Sequence, residues 1–199
     1  MSNQYSKGFI SLCLISLLSA CSTPPTHFYT LESQSKAPAS TNATTPHKML
    51  IGIGPLSLPA LLDHKQLVTR IANNRIELAE FEQWAAPLKD NVLAVLRKNM
   101  ATLQANAIVR AYPWSIYGDV DYRVIIDISR FDIQLGKSVC LEASWAIMEE
   151  KKHTIVNNGQ TKIEQVLTDT SYQNAAQLLS QLLDQLSQQI ALSLAQLQQ

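Results

Sequence analysis

Apolar residues recur along the chain with two different periods, and the switches between them lay out its elements. Between 120 and 150 nearly every second residue is apolar. Tyr122, Val124, Ile126 and Ile128 share one face, and the phase then slips to Phe131, Ile133 and Leu135. Alternation predicts strands, and the slip predicts a bulge near Ser129 and Arg130. Gly136-Lys137 marks a turn, and Val139, Leu141, Ala143, Trp145 and Ile147 carry the return strand. Alternation also runs through 66–81, on both sides of Asn73-Asn74. Asparagine tolerates positive φ, so this pair predicts the tight turn of a hairpin. Residues 27–31 (HFYTL) predict a short first strand. Residues 48–59 predict a second, ending near Pro55 or Pro59. Ala107 to Tyr112 predicts a strand halted by Pro113, and Gly159 to Leu167 a polar one suited to a sheet edge.

Helical spacing appears twice. Behind Pro87, whose missing N–H is harmless in a first turn, Leu88, Val92, Val95, Leu96, Asn99 and Leu103 fall on one side. Near the C-terminus Ala175, Leu179, Leu182, Leu186, Ile190, Leu194 and Leu197 form a stripe. Gln177, Gln181, Gln185 and Gln188 lie opposite, and Asp184 is the only charge. That neutral face has two readings: a solvated outer surface, or a contact with another subunit, since it is cheap to desolvate. Together these patterns predict an α+β single domain. Its mostly antiparallel or mixed sheet contains a hairpin and is packed by two main helices, at about 87–104 and 174–198.

The N-terminus differs from the rest. About thirteen mostly apolar residues, Gly8 to Ala20, follow Lys7, whereas a bilayer span needs roughly 20. This is the layout of a signal peptide, 1–20, that is removed. Its end, Leu18-Ser19-Ala20-Cys21, resembles the lipobox of bacterial lipoproteins. That resemblance implies cleavage before Cys21, a diacylglycerol on its sulfur and an acyl chain on its new amino group. Residue 22 is Ser, not Asp, which resembles sorting to the outer membrane. Residues 21–26 then form a lipidated tether. Residues 27–199 form one domain, in which the Ser/Thr/Ala/Pro-rich stretch 32–47 is expected to be a flexible loop.

Charge and candidate chemistry narrow the function by exclusion. Removing Lys7 from the 16 Lys and Arg leaves 15 cations against 16 Asp and Glu, so no nucleic-acid stripe or polybasic lipid patch is expected. With Cys13 removed and Cys21 acylated, Cys140 has no disulfide partner and reads as a small buried apolar residue on a strand. The glycines of IGIGP, 51–55, lack a third glycine and a following helix, so they mark a bend rather than a nucleotide loop. His27, His47, His64 and His153 are scattered, Glu77, Glu80 and Glu82 read as a solvated edge, and no serine sits in a GxSxG elbow. No enzymatic activity, metal or cofactor is expected beyond the covalent lipid on Cys21.

Several stretches together resemble the PqiC (YmbA-type) lipoproteins, auxiliary components of ABC-type or MCE transport systems. They are the lipobox, FYTL, IGIGPLSLPALLD, and LVTRIANNRIELAEFEQWAAPLKDNV with Arg70, Asn74, Trp84 and Leu88. VIIDISRFD paired with LEASW, and LLSQLLDQLSQQIA, complete the set. The resemblance implies a lipoprotein on the periplasmic face of the outer membrane of a Gram-negative bacterium. It implies an MCE-domain (PqiB-like) tunnel protein as partner, an inner-membrane component reached through it, and a ring-like homo-oligomer. Arg70 and Trp84 are expected either at a partner or subunit interface or in structural roles: Trp84 at the hairpin-to-helix junction, Arg70 paired with a carboxylate. Pro59 and Leu62 are expected to shape a loop that offers a contact surface. Two rival functions stay open, an assembly lipoprotein (a secretion-system anchor or pilotin) and a direct phospholipid carrier.

Overall fold

The computed structural model describes residues 24–37 and 48–197. The leader, the lipobox residues Leu18, Ser19 and Ala20, Cys21 itself and residues 38–47 of the expected loop lie outside them. The strands are β1 (His27–Tyr29), β2 (Met49–Ser57), β3 (Gln66–Ala72), β4 (Arg75–Trp84), β5 (Ala107–Ala111), β6 (Tyr122–Gln134), β7 (Ser138–Glu149) and β8 (Thr154–Val166). The helices are α1 (Leu88–Leu103) and α2 (Tyr172–Gln196), with short 3-10 turns at Ala60–Leu62 and Ser115–Tyr117.

The strands form one mixed eight-stranded sheet, not closed into a barrel, around β6. β7 runs antiparallel along the whole of one β6 edge, and β8 lies antiparallel beyond β7. The other edge of β6 is shared. β2 lies parallel against its first half, from Ile51↔Tyr122 to Ser57↔Asp127, with β5 parallel outside β2. Further along, β3 is parallel to β6 at Thr69↔Ile133, with β4 antiparallel outside β3 and β1 parallel outside β4. The sheet therefore forks into two wings, β2–β5 and β3–β4–β1.

The expected bulge is present: the β6–β7 register shifts between Ile128 and Arg130. It keeps Val124, Ile126 and Ile128 on the same buried side as Phe131 and Ile133. Both helices cover that side. α2 starts at Ser171, whose hydroxyl accepts from the Asn174 N–H at 3.2 Å. It buries a wider face than the seven-residue stripe, because Ala176, Ser180, Leu183, Ser187 and Ala191 are buried as well. Each fully buried Leu or Ile there contributes about 1.5–3 kcal/mol. The Ser180 and Ser187 hydroxyls donate to the carbonyls of Ala176 and Leu183, so neither is buried without a partner. Asn99 Nδ2 donates to Ser187 Oγ at 3.2 Å and ties α1 to α2. In α1 the buried Met100 replaces the half-buried Leu103, and Pro87 is the cap rather than a first-turn residue.

Two local expectations need correction. Neither Asn73 nor Asn74 has a positive φ; the hairpin turn is accommodated by a register shift between Arg70 and Ala72. Arg70 Nη1 also donates to the Asn73 carbonyl at 3.0 Å and holds the turn. β8 begins at Thr154, five residues before the expected Gly159, because pairing with β7 needs only its backbone. The described part of the 32–47 stretch, although irregular, is pinned on α2: the Glu32 N–H donates to Ser180 Oγ at 3.1 Å and Ser35 Oγ to Asp184. Cys140 is buried, as expected, and burial pushes its thiol pKa up.

Candidate functional site

The fold gathers three of the four expected contact residues. β2 and β3 are joined by a loop that carries Pro59 and Leu62. Pro59 and Leu62 line a cleft of about 290 Å³ against Leu88 and Lys89. Trp84 lines a neighbouring cleft of about 520 Å³ with Phe28, Lys65 and Pro87, and Asp63 borders both. Leu62 and Trp84 are themselves buried and Pro59 is half-buried. The Trp84 N–H donates to the Lys65 carbonyl at 2.7 Å, so this residue locks the loop to the end of β4.

Arg70 lies elsewhere, on the sheet face opposite the helices. Its Nε donates to Asp132 Oδ2 at 2.5 Å, and Arg130 Nε donates to the same oxygen at 2.7 Å. Arg130 also faces Glu142, which pairs with Lys162 at 2.9 Å. The result is a ladder of alternating charge across β3, β6, β7 and β8. Burial alone would raise the Asp132 pKa, but hydrogen bonds from Arg70 and Arg130 hold it below the ordinary carboxylate range. The stability this gives is present above the unfolded Asp pKa and is lost as pH falls through the lowered folded value. Asp132→Asn is expected to cost about 2–3 kcal/mol at neutral pH, less than a fully buried pair because both arginines keep solvent contact. Urea unfolding at pH 7 and near pH 3 checks this: the gap between variant and parent should narrow in acid.

Exposed apolar side chains also lie at two other places. One is β1, where Phe28 is 65% exposed. Its neighbours are fixed: the Tyr29 hydroxyl donates to Glu82 Oε2 at 2.5 Å, and the Tyr29 ring meets Tyr172 at 6.5 Å. Burial and then this hydrogen bond push the Tyr29 pKa up to about 12, and the same bond lowers that of Glu82. A groove of about 750 Å³ runs from Phe28 and Glu32 to Gln173, Gln177 and Ser180 on α2.

The second place is the segment after β5. Trp114 lies on Gly52, where a Cβ would come within 2.8 Å of the indole, so only glycine permits this contact. Tyr112 meets Trp114 edge to face at 5.4 Å, and the Arg123 guanidinium sits 5.7 Å from the Trp114 ring. Arg123 Nη2 is held in turn by Glu150 at 2.8 Å. Ile116, two residues after Trp114, is 83% exposed, and Tyr112 is half-exposed. The sequence reading passed over Phe28, Tyr112, Trp114 and Ile116. The cue was available in YPWSIYG, an aromatic run between a strand end and a glycine. Among the described residues no three His, Cys, Asp or Glu side chains are grouped to hold a metal ion, and no helix is long and apolar enough to cross a membrane.

Comparison with known proteins gives a family. An uncharacterized protein of known crystal structure superposes with a TM-score of 0.70 at 16% identity, covering 86% of this chain and 99% of its own. Protein XCC0632 from Xanthomonas campestris, of the DUF330 family, gives 0.66 at 14%, covering 83% and 92%. These likenesses show a shared fold. A PelC dodecamer from Paraburkholderia phytofirmans reaches only 0.42 at 8%, covering 76% and 89%. No curated protein matches the sequence. The family model described as ABC-type transport auxiliary lipoprotein component matches residues 29–191, from the start of the sheet to the last turns of α2. The chain therefore belongs to the family of ABC-type transport auxiliary lipoprotein components.

Proposed function

We propose that this lipoprotein is the outer-membrane component of an MCE/Pqi-type intermembrane lipid transport system. It is a non-catalytic module that holds the end of a periplasm-spanning MCE tunnel protein at that membrane, and through it connects to an inner-membrane component. Ser22 after the acylated Cys21 supports outer-membrane placement. The observation that carries the reading is the separation of two ends. Trp114 packs beside Arg123 at the start of β6, whereas β3 and its hairpin lie at the end of β6, which spans roughly 40 Å. β1 runs with β4, so the chain before His27 leaves toward the hairpin. Tether and aromatic platform thus point toward opposite ends, the arrangement a bridge requires.

In this reading Ile116, Tyr112 and Trp114 meet the tunnel protein, since exposed aromatic and apolar anchors carry most interface energy. Leu62, Trp84 and Arg70 act by holding shape. Pro59 and the rims of the clefts are the surface offered to a neighbouring subunit in a ring-like homo-oligomer. The test is co-purification in detergent with the MCE protein encoded nearby. Ile116→Asp is expected to weaken capture by about tenfold or more, the loss of one hot spot. Failure of the parent protein to co-purify would remove the docking reading. Bound phospholipid in native mass spectrometry of the delipidated domain would favour a carrier instead.

A further inference from the structure

Five residues lie between Cys21 and His27, six steps along the chain, so even fully extended this stretch reaches at most roughly 20 Å. With Cys21 acylated, β1 stays within that distance of the lipid. The strand register decides which part of the domain shares that layer. His27 lies beside Glu82 and Tyr29 beside Trp84, so the preceding residues run back along β4 toward the hairpin turn. Register also sorts side chains by face. Phe28 pairs with Gln83 and Gln83 with Gln66; Val68, two residues further along β3, pairs with Leu78 across a register shift in which β4 advances five residues, so the bulge in β4 keeps Gln83 and Leu78 on one face. Ile76, two before Leu78, pairs with Arg70 of the charged ladder. Phe28, Leu78 and Ile76 therefore project from the sheet face that the helices leave uncovered. They are 65%, 41% and 40% exposed.

We propose that this outer face of the β1–β4–β3 wing rests on the lipid surface, with Phe28, Leu78 and Ile76 set shallowly among the headgroups. The inference rests on the acylation of Cys21. Apolar side chains of interfacial elements sit about 5–10 Å into the boundary between headgroups and acyl chains, a depth a short tether allows them to reach. Arg75 in the turn is offset by the exposed Glu80 on the same strand, and Arg70 of this face is paired with Asp132, so apolar contact rather than attraction to anionic lipid orients the wing. The contact turns a tethered domain into one of fixed tilt and leaves Ile116, at the far end of β6, outside the proposed contact.

The test uses the full mature lipoprotein in phosphatidylethanolamine–phosphatidylglycerol vesicles. Phe28→Cys, Leu78→Cys and Ile116→Cys each carry an environment-sensitive fluorophore, with the buried Cys140 left in place. Flotation with the vesicles first establishes the anchor. The expected result is blue-shifted emission, quenched by headgroup-labelled nitroxide lipid, at positions 28 and 78 but not at 116. It should change little with the phosphatidylglycerol fraction. A protein that fails to float removes the anchor reading and this inference with it. A protein that floats with positions 28 and 78 as unquenched as 116 overturns the inference alone. Quenching that follows the anionic lipid fraction overturns the apolar contact.

Discussion

A Cys21→Ala protein is expected to leave the membrane fraction entirely. The leader 1–20 must be exchanged for one removed without lipidation, so that an uncut leader cannot itself act as a span. Each buried methylene contributes about 0.8 kcal/mol; one acyl chain binds only marginally and reversibly, and two or three on one residue make attachment stable. The exposed wing cannot substitute. Phe28, Leu78 and Ile76 would each gain at most about 1.5–3 kcal/mol if fully buried, and shallow contact recovers only part of that. Fractionation in high salt, with mass spectrometry of the mature N-terminus of the parent, checks the expectation. Persistent membrane association of the variant, or an unmodified parent cysteine, would refute the anchor.

Gly159→Val is expected to destabilise the sheet strongly. Gly159 faces Trp145 across β7 and β8, and a Cβ there would sit 2.4 Å from the indole. Trp145 cannot easily swing aside. It is buried, and its Nε1 donates to Thr161 Oγ1 at 3.3 Å, which donates to Gln189 of α2 at 2.6 Å. Overpacking costs about 1–3 kcal/mol, and the broken contact between β8 and α2 places this site at the upper end. A loss of about 3 kcal/mol lowers Tm by roughly 6–12 °C in a domain of this size. Scanning calorimetry reads the shift. In a Trp145→Leu background the same valine should cost much less, because the clash has gone; additive losses would show that the indole is not the obstacle.

Sequence and structure agree where one local period decides the outcome. The β6–β7 hairpin, its bulge and both helices follow from side-chain spacing, because spacing alone fixes which residues share a face. The expected anchor at Cys21 rests on four consecutive residues rather than on a fold, and it lies outside the described residues. Legibility fails where distant segments meet. Arg70 pairs with Asp132, 62 positions away, so neither reading of this arginine could be chosen from its neighbours. Trp84 and Trp114 are both tryptophans near strand ends, yet one is buried and locks a loop while the other carries an exposed aromatic platform. The Asn73-Asn74 turn failed for a related reason. The clamp from Arg70 and the register shift beside it relieve the need for positive φ, and neither is visible in the dipeptide.

By itself, the sequence determined an α+β domain of two helices and a sheet, and gave the expectation of a lipid-accepting cysteine ahead of it. Those properties depend on short-range order, composition and period. Only the tertiary structure decided that the sheet forks around β6, that Phe28, Leu78 and Ile76 share its uncovered face, and that Ile116 stands at the other end. Strand order and register come from the packing of all the elements together, and no local pattern encodes which edge a strand will join.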